Sequence, residues 1–358
     1  MEIAVTGLPG SGKSTVFAAL AGRSLPSAEQ PRRGEAPRAV VKVPDPRVTA
    51  LAELYQPRKV TPAEVQYVAA PELTHAGRAT EGWSALLTQL RQADAIMLVS
   101  RAFDEPSYPH PAGSVDPARD VAALHAELLL ADMITIERRL ERLEREARSG
   151  GKAQQAQERE LLARLKERVD AGQPLRTLET SPAERKLLAG FGFLTLKPLL
   201  LVANTGPNGL DGSAAALRRE AASLGAPYLA LDGKLERELV ELEPAEQAEM
   251  LGAFGLDEPA LARAIRASYS LLDLISFFTV GDDEVRAWTV RRGTPAPEAA
   301  GVIHSDLQRG FIRAEVVPAS DLLRLGSLAE ARRQGLLRSE GKTYVIQDGD
   351  VVNVLFNV

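Results

Sequence analysis

Apolar residues fall into short continuous runs that alternate with stretches of helical spacing. The runs occupy residues 3–6, 95–99, 199–202 and, more weakly, 227–231. Each lies near a segment in which apolar residues recur three or four positions apart, as on one face of a helix. Strands that alternate with helices predict an α/β fold with a parallel sheet covered on both faces. Ligands of such sheets bind at the carboxyl ends of the strands.

Residues 116–190 have a helical pattern throughout. Asp116 and Pro117 are typical of a helix start, because a capping side chain precedes a proline at the first helical position. An apolar stripe follows at Leu124, Leu128, Ala131, Ile134 (or Met133), Leu140 and Leu143. Ser149-Gly150-Gly151 ends this helix, and a second helix runs to about Val169. The pattern predicts an αα-hairpin with coiled-coil character.

The charges on this hairpin leave two interpretations open. Residues 137–148 mix acidic and basic side chains, with opposite charges four residues apart. Such a pattern is typical of a solvated helix surface, and an interaction face is the alternative. Ser181 and Glu184 form a capping-box pattern, which predicts a third, short helix.

The tail changes character from about residue 276. Strand patterns occur within 279–290 and 311–317. Residues 343–347 and 350–358 flank Asp348-Gly349, which predicts a β-hairpin with a two-residue turn.

The length of 358 residues suits two or three domains. We expect an α/β domain over 1–275, a helical insertion within it over 116–190, and a small α+β domain over 276–358. The net charge of -5 excludes a generally basic surface, so any RNA contact must be a local patch.

Cysteine is absent, which excludes disulfides, cysteine-based metal sites and thiol nucleophiles. No run approaches the roughly 18 apolar residues of a membrane span, and the N-terminus lacks the basic region of a signal peptide. We therefore expect a cytoplasmic protein with no membrane partner. The histidines have no metal-ligand spacing: His75, His110, His125 and His304.

The chemistry lies in the stretch GLPGSGKST from Gly7 to Thr15, which matches the phosphate-binding pattern GxxxxGK[ST]. The backbone N–H groups of such a loop surround phosphate oxygens, and the following helix adds the positive end of its dipole. Lys13 is predicted to reach the β- and γ-phosphates, and the Ser14 hydroxyl to ligate Mg²⁺. The predicted nucleotide-binding residues of the loop are Pro9, Gly10, Ser11, Gly12, Lys13, Ser14 and Thr15.

The loop alone does not separate kinases, GTPases and ATPases, but longer stretches do. They are VPDPRVTALAEL at 43–54, QADAIMLVSRAF at 92–103, FGFLTLKPLLLVAN at 191–204 and GKTYVIQDGDVVNVLFNV at 341–358. With these stretches the sequence resembles the YchF family of Obg-like P-loop NTPases nearly end to end. The resemblance implies a G domain, a coiled-coil insertion and a C-terminal TGS domain of the β-grasp type. It also implies ATP or GTP (or their diphosphates) as ligand, Asn204 as a base contact, and an association with ribosomes and RNA.

The sequence departs from the family pattern at three elements of the site. The family's Asp-x-x-Gly element corresponds to Tyr67–Leu73, where Ala69 replaces the Asp and Glu72 the Gly. Leu73 stands where many GTPases have a water-orienting glutamine and where the family itself has a hydrophobic residue.

The other two departures concern the metal and the base. No threonine occurs between Thr15 and Thr49 to serve as the switch-loop ligand of Mg²⁺, and that loop contains Arg32-Arg33 instead. The base-reading element is Asn204-Thr205-Gly206-Pro207, so its fourth position has no carboxylate. Since phosphoryl transfer depends on metal and positioning, we expect binding with weak or absent hydrolysis and assign no catalytic residue.

Two other functions remain open. A ribosome- or RNA-binding adaptor that has lost its NTPase function would use the helical hairpin and the tail. A small-molecule kinase would have no obvious use for either. A tail patch for RNA would combine basic and aromatic side chains: Arg286, Arg291, Arg292, Arg309, Arg313, Trp288 and Phe311.

Overall fold

Strands and helices alternate along the first two-thirds of the chain, as the apolar spacing predicts. The computed structural model describes residues 1–22, 36–71, 81–147, 153–207 and 214–357. The strands in these ranges are β1 (Glu2–Thr6), β2 (Arg38–Lys42), β3 (Lys59–Thr61), β4 (Glu64–Ala69), β5 (Ala95–Ala102), β6 (Leu199–Thr205), β7 (Tyr228–Asp232), β8 (Leu274–Thr279), β9 (Glu284–Arg291), β10 (Phe311–Pro318), β11 (Arg338–Glu340) and β12 (Asp350–Phe356).

The helices differ widely in length. They are α1 (Lys13–Ala21), α2 (Pro46–Tyr55), α3 (Glu81–Gln92), α4 (Pro117–Ala147), α5 (Ala153–Asp170), α6 (Pro182–Leu188), α7 (Ala214–Ser223), α8 (Gly233–Glu241), α9 (Pro244–Ala253), α10 (Ala260–Leu271), α11 (Ala296–Ile303), α12 (Ser305–Arg309), α13 (Ala319–Leu325) and α14 (Leu328–Arg333). Among the described residues, we find no helix with the length and apolar character of a membrane span.

Backbone contacts divide the chain into two compact units. The first unit comprises Met1–Ala39 and Gln66–Ala264, and the second comprises Val40–Val65 and Ile265–Val358. The second unit therefore includes residues 40–65, which the sequence interpretation placed in the domain over 1–275.

The first six-stranded sheet has the order β2-β4-β1-β5-β6-β7. The pairs β1–β4, β1–β5, β5–β6 and β6–β7 are parallel. Every residue of β5 and β6 is buried, which explains why these strands are continuous apolar runs in the sequence. A core cluster joins them to helices, with Leu86 and Leu90 of α3, Leu124 of α4 and Leu217 of α7 packed among strand residues. The carboxyl ends of β1, β5 and β6 consequently lie side by side.

The helical hairpin has its own core. Ile136 and Leu143 of α4 pack with Leu162 and Leu165 of α5, all nearly inaccessible to solvent. At α6 the predicted capping box forms: Glu184 N donates to Ser181 Oγ, and Ser181 N donates to the Glu184 carboxylate. The predicted helix stop at residues 149–151 lies outside the described residues.

One buried acid joins this hairpin to the strand that follows it. Asp132, 1% exposed, accepts hydrogen bonds from Leu194 N at 2.7 Å, Thr195 N at 2.8 Å and Thr195 Oγ1 at 2.6 Å. Burial raises the pKa of its carboxyl, and the three donors oppose that rise. The interaction fixes the chain just before β6 against α4.

The second six-stranded sheet has the order β11-β10-β12-β8-β9-β3. In the second unit Arg47, in α2, donates to both Asp45 and Asp348, and its guanidinium lies 5.1 Å from the centre of the Phe278 ring. Strand β3 adds to the sheet edge in parallel with β9. These contacts explain why residues 40–65 group with the tail.

The predicted hairpin around Asp348-Gly349 is wrong. Strand β12 pairs antiparallel with β10 and parallel with β8, and the arm at 343–347 contributes only an isolated bridge from Val345 to Pro295. The turn bonds to β8 instead: Ser276 N donates to the Asp348 carboxylate at 3.0 Å, and Gly349 N donates to Ser276 O at 2.8 Å.

His125 in α4 predicts a pH dependence of stability. Burial, and secondly the charge of Arg176, lower the pKa of His125 from 6.5 to about 4. A lowered histidine pKa contributes stability above pH 6.5 that is lost as pH falls toward about 4. We expect the free energy of unfolding to fall when the pH is lowered from about 7.5 to about 5. This fall should be about 1–2 kcal/mol larger in the unaltered protein than in the His125→Gln variant.

Urea unfolding at the two pH values measures this difference. Ser84→Ala, which changes an exposed, uncharged side chain of the same unit, is the control and should follow the unaltered protein. An identical pH response in the protein and His125→Gln would contradict the assignment.

Candidate functional site

The loop between β1 and α1 has the backbone shape that phosphate binding requires. Gly10 and Gly12 have φ values of 76° and 81°, a left-handed conformation that favours glycine. Ser11 N donates to Leu8 O at 3.1 Å, and Val16 N donates to Gly12 O at 3.0 Å as α1 begins. The loop thus lies at the carboxyl end of a central parallel strand, directly before a helix N-terminus, where an anion is favoured.

Lys13 connects the loop to the neighbouring strand. Its side chain is buried, and Nζ donates to Ala70 O at 2.8 Å. Ala70 N in turn donates to Val5 O at 2.9 Å, and Val5 is in register with Ala69. The predicted phosphate-binding lysine therefore stands beside the end of β4.

The end of β4 is also where the family pattern has its aspartate. Ala69 and Ala70 place only methyl groups there, and Pro71 adds no acid. The predicted substitutions at Glu72 and Leu73 lie outside the described residues, as do Arg32 and Arg33. Within the described ranges no group of three or more histidine, aspartate and glutamate side chains is placed to hold a metal ion.

The Asn204 side chain is hydrogen-bonded to the backbone of the loop. At the end of β6 it is 5% exposed; Nδ2 donates to Ser11 O at 3.0 Å, and Oδ1 accepts from Gly233 N at 2.9 Å. A Cβ on Gly12 would overlap Nδ2 of this amide. The structure thus brings Asn204 to the phosphate loop, while its contact with a base stays a prediction.

The other predicted loop residues differ in exposure. Ser14 is exposed in the first turn of α1, and Pro9 and Thr15 are half-buried. Ser11 is buried, and its hydroxyl has no hydrogen-bond partner among the described residues.

The sequence interpretation missed two features beside the loop. His110 and Asp120 form a buried pair, with Nε2 2.8 Å from a carboxylate oxygen, and they line a small cavity together with Pro9 and Ser11. Arg101, 3% exposed, lies at the end of β5 and lines the same cavity. No local sequence motif signals a histidine–aspartate pair formed across ten residues.

Only some of the side chains in the predicted RNA patch of the tail are free to contact a ligand. Phe311 is 4% exposed and belongs to the core, so it cannot stack on a base. Arg292 pairs with Asp273, whereas Arg286 lies 3.9 Å from the centre of the Trp288 ring. A smaller cation–aromatic group remains.

Comparisons with known proteins agree with this architecture. Residues 274–357 match the family model YchF-GTPase_C, described as a protein of unknown function (DUF933). The chain is 41% identical to the ribosome-binding ATPase YchF of Bacillus subtilis, over 99% of this chain and 98% of that protein. It is 38% identical to the protein of the same name from Escherichia coli O157:H7, with the same coverage.

Solved structures agree as well. The Schizosaccharomyces pombe YchF GTPase superposes with a TM-score of 0.89 at 29% identity, covering 99% of this chain and 97% of that one. A GTP binding protein from Pyrococcus horikoshii OT3 superposes with a TM-score of 0.61 at 19% identity over the full length of both chains, which supports the fold alone. The predicted fold class, a G-domain-like α/β fold with additional helical and C-terminal parts, is confirmed.

Gly12 provides a test of the loop geometry. We expect Gly12→Ala to weaken ADP and GDP binding at least tenfold, because a methyl group would displace the Asn204 amide and the left-handed backbone costs alanine about 1–2 kcal/mol. Titration calorimetry and thermal unfolding measure the two effects. Gly190→Ala, at an open position of the same unit, is the control and should change neither; unchanged binding by Gly12→Ala would refute the loop assignment.

Proposed function

Because the chain belongs to the YchF family, we propose that it is a P-loop protein that binds a purine nucleotide after β1 and acts with the ribosome in the cytoplasm. The observation that carries the proposal is the loop itself, with its left-handed glycines, its buried Lys13 and its Asn204 support. The names of the Bacillus subtilis and Escherichia coli relatives support the ribosome as partner.

We infer that hydrolysis is weak or absent. The transition state of phosphoryl transfer needs a metal ion and charged groups held in place before the reaction. The end of β4 has Ala69 where the family pattern places a carboxylate, so the chain itself offers less support for a metal there.

Mg²⁺ would arrive largely as the counter-ion of the nucleotide. The Ser14 hydroxyl at the start of α1 is the one protein ligand that we assign to it. Because magnesium retains water readily and accepts phosphate oxygens as ligands, one hydroxyl is compatible with its coordination. Without an adjacent acid, nucleotide affinity should depend less on Mg²⁺ than in NTPases that have one.

Discrimination between adenine and guanine should also be weak. A carboxylate at the fourth position of the base-reading element would accept from the guanine edge, and Pro207 has none. The Asn204 amide already bonds to Ser11 and Gly233, which leaves one N–H for a base. We therefore propose that ATP, GTP and their diphosphates all bind.

A nucleotide-independent ribosome or RNA adaptor is the second candidate. The absence of acids at Ala69 and Pro207 favours it, because without them the nucleotide site lacks groups that would support a metal ion and read the base. The exposed charges of α4 and the Arg286–Trp288 group in the second unit would then be the working surfaces.

Ribosome co-sedimentation separates the two candidates. We expect the protein to pellet with ribosomes at least about threefold more with a non-hydrolysable triphosphate than without nucleotide, because a switch needs different affinities in its two states. Lys13→Ala should lose this nucleotide response, because the buried cation that faces the phosphates is removed.

Lys186→Ala, which removes an exposed lysine of α6 in the same unit, is the matched control. Equal pelleting of all samples favours the adaptor and contradicts the switch. Failure of calorimetry to detect ADP, GDP or triphosphate binding at millimolar concentration would overturn nucleotide binding itself.

A further inference from the structure

Arg101 is a buried cation at the edge of the phosphate loop. No sequence motif assigns a role to this arginine. It is the next-to-last residue of β5 and the direct register partner of Asn204 on β6. Both side chains reach the loop that follows β1: Asn204 at Ser11, and Arg101 at Gly10. The sheet therefore presents two polar side chains side by side to one phosphate loop.

The guanidinium group of Arg101 is only partly satisfied. Nε donates to Phe103 O at 3.2 Å, Nη2 lies 3.5 Å from Glu105 O, and the group stacks 4.9 Å from the centre of the Phe103 ring. Nη1 is buried and has no hydrogen-bond partner in the described part of the chain. Among the same residues, no carboxylate forms an ion pair with Arg101.

The unpartnered nitrogen faces the loop backbone. The position of a Cβ on Gly10 lies 3.3 Å from Nη1, and the Tyr108 ring packs on the same side of Gly10. Gly10 is left-handed, as successive inward N–H groups of an anion nest require. The positive charge of Arg101 thus lies beside the backbone of Gly10, in the loop that is predicted to hold the phosphates.

A buried, unpaired guanidinium is costly, because burial removes its hydration without supplying an anion. An arginine stays charged at all physiological pH values, so it cannot avoid this cost by losing its proton. An anion bound at the adjacent loop reduces the cost, because the charges interact strongly where the surroundings are buried and water is excluded. The chemistry that fits is a nucleoside di- or triphosphate.

We propose that Arg101 is a second fixed cation of the phosphate site, a positioning residue that acts through the loop at Gly10. The inference rests on the proposed nucleotide binding and deepens it. Its charge adds to that of Lys13 and supplies part of the positive charge that a metal ion held by an aspartate at position 69 would otherwise give. Binding of phosphate groups therefore depends on Arg101 even without Mg²⁺.

The experiment is calorimetric titration of the full chain without Mg²⁺. The probes are ADP or GDP, whichever the unaltered protein binds more tightly, together with the corresponding monophosphate and nucleoside. The variants are Arg101→Gln, which removes the charge, and Arg101→Lys, which keeps it. Arg176→Gln is the matched control, because Arg176 also has a buried unpartnered nitrogen but bonds to Lys197 O and Leu224 O, before β6 and after α7.

We expect Arg101→Gln to weaken diphosphate binding about tenfold or more, the monophosphate less, and the nucleoside not at all. Arg101→Lys should retain diphosphate affinity within about threefold, and Arg176→Gln should leave it unchanged. These results support a charge role, because Arg101→Lys keeps the charge but not the guanidinium contacts with Phe103 O and Glu105 O, so a purely structural role would weaken binding in the Gln and Lys variants alike.

Three outcomes overturn the inference, provided that thermal unfolding confirms that each variant is folded. The first is unchanged diphosphate affinity in Arg101→Gln. The second is an equal loss of diphosphate and nucleoside affinity in that variant, and the third is an equal loss of diphosphate affinity in the Gln and Lys variants. If the unaltered protein binds none of the probes, the proposed function fails first and independently of Arg101.

Discussion

The hydrogen bonds of the Asn204 amide are the constraint on which the site depends. They join Ser11 O in the phosphate loop to Gly233 N at the start of α8. The amide group also fills the space beside Gly12, so that position has room only for glycine. The amide thus holds the loop in one of the several backbone conformations that glycine can adopt.

The sheet makes this support possible. Strands β1, β5 and β6 are buried on both faces, so their order and register are fixed by packing, and their carboxyl ends align. Arg101 and Asn204 reach the loop as a result, and Lys13 extends from the loop to Ala70 O. The site combines two buried cations with an intact anion nest, while the end of β4 brings no acid to balance a metal. We propose that this charge distribution favours binding of phosphate over its transfer.

Local patterns in the sequence predicted β1, β5, β6 and β7, the helical hairpin, the capping box at Ser181 and the glycine-rich loop before α1, because each depends on residues near one another in the chain. The interactions of Asp132, Arg101 and His110 could not be predicted in this way. Each depends on a partner that only the folded chain brings close. The hairpin around Asp348-Gly349 was predicted wrongly for the same reason, since its turn residues bond to Ser276, far away in sequence.

We propose that the phosphate site binds nucleotide with little or no hydrolysis. Phosphate release from ATP and from GTP, measured with Mg²⁺ for the unaltered protein, Lys13→Ala and Ala69→Asp, tests it most directly. We expect the unaltered protein to release phosphate no faster than Lys13→Ala, and any gain in Ala69→Asp to require Mg²⁺. Turnover by the unaltered protein that disappears in Lys13→Ala would contradict the claim.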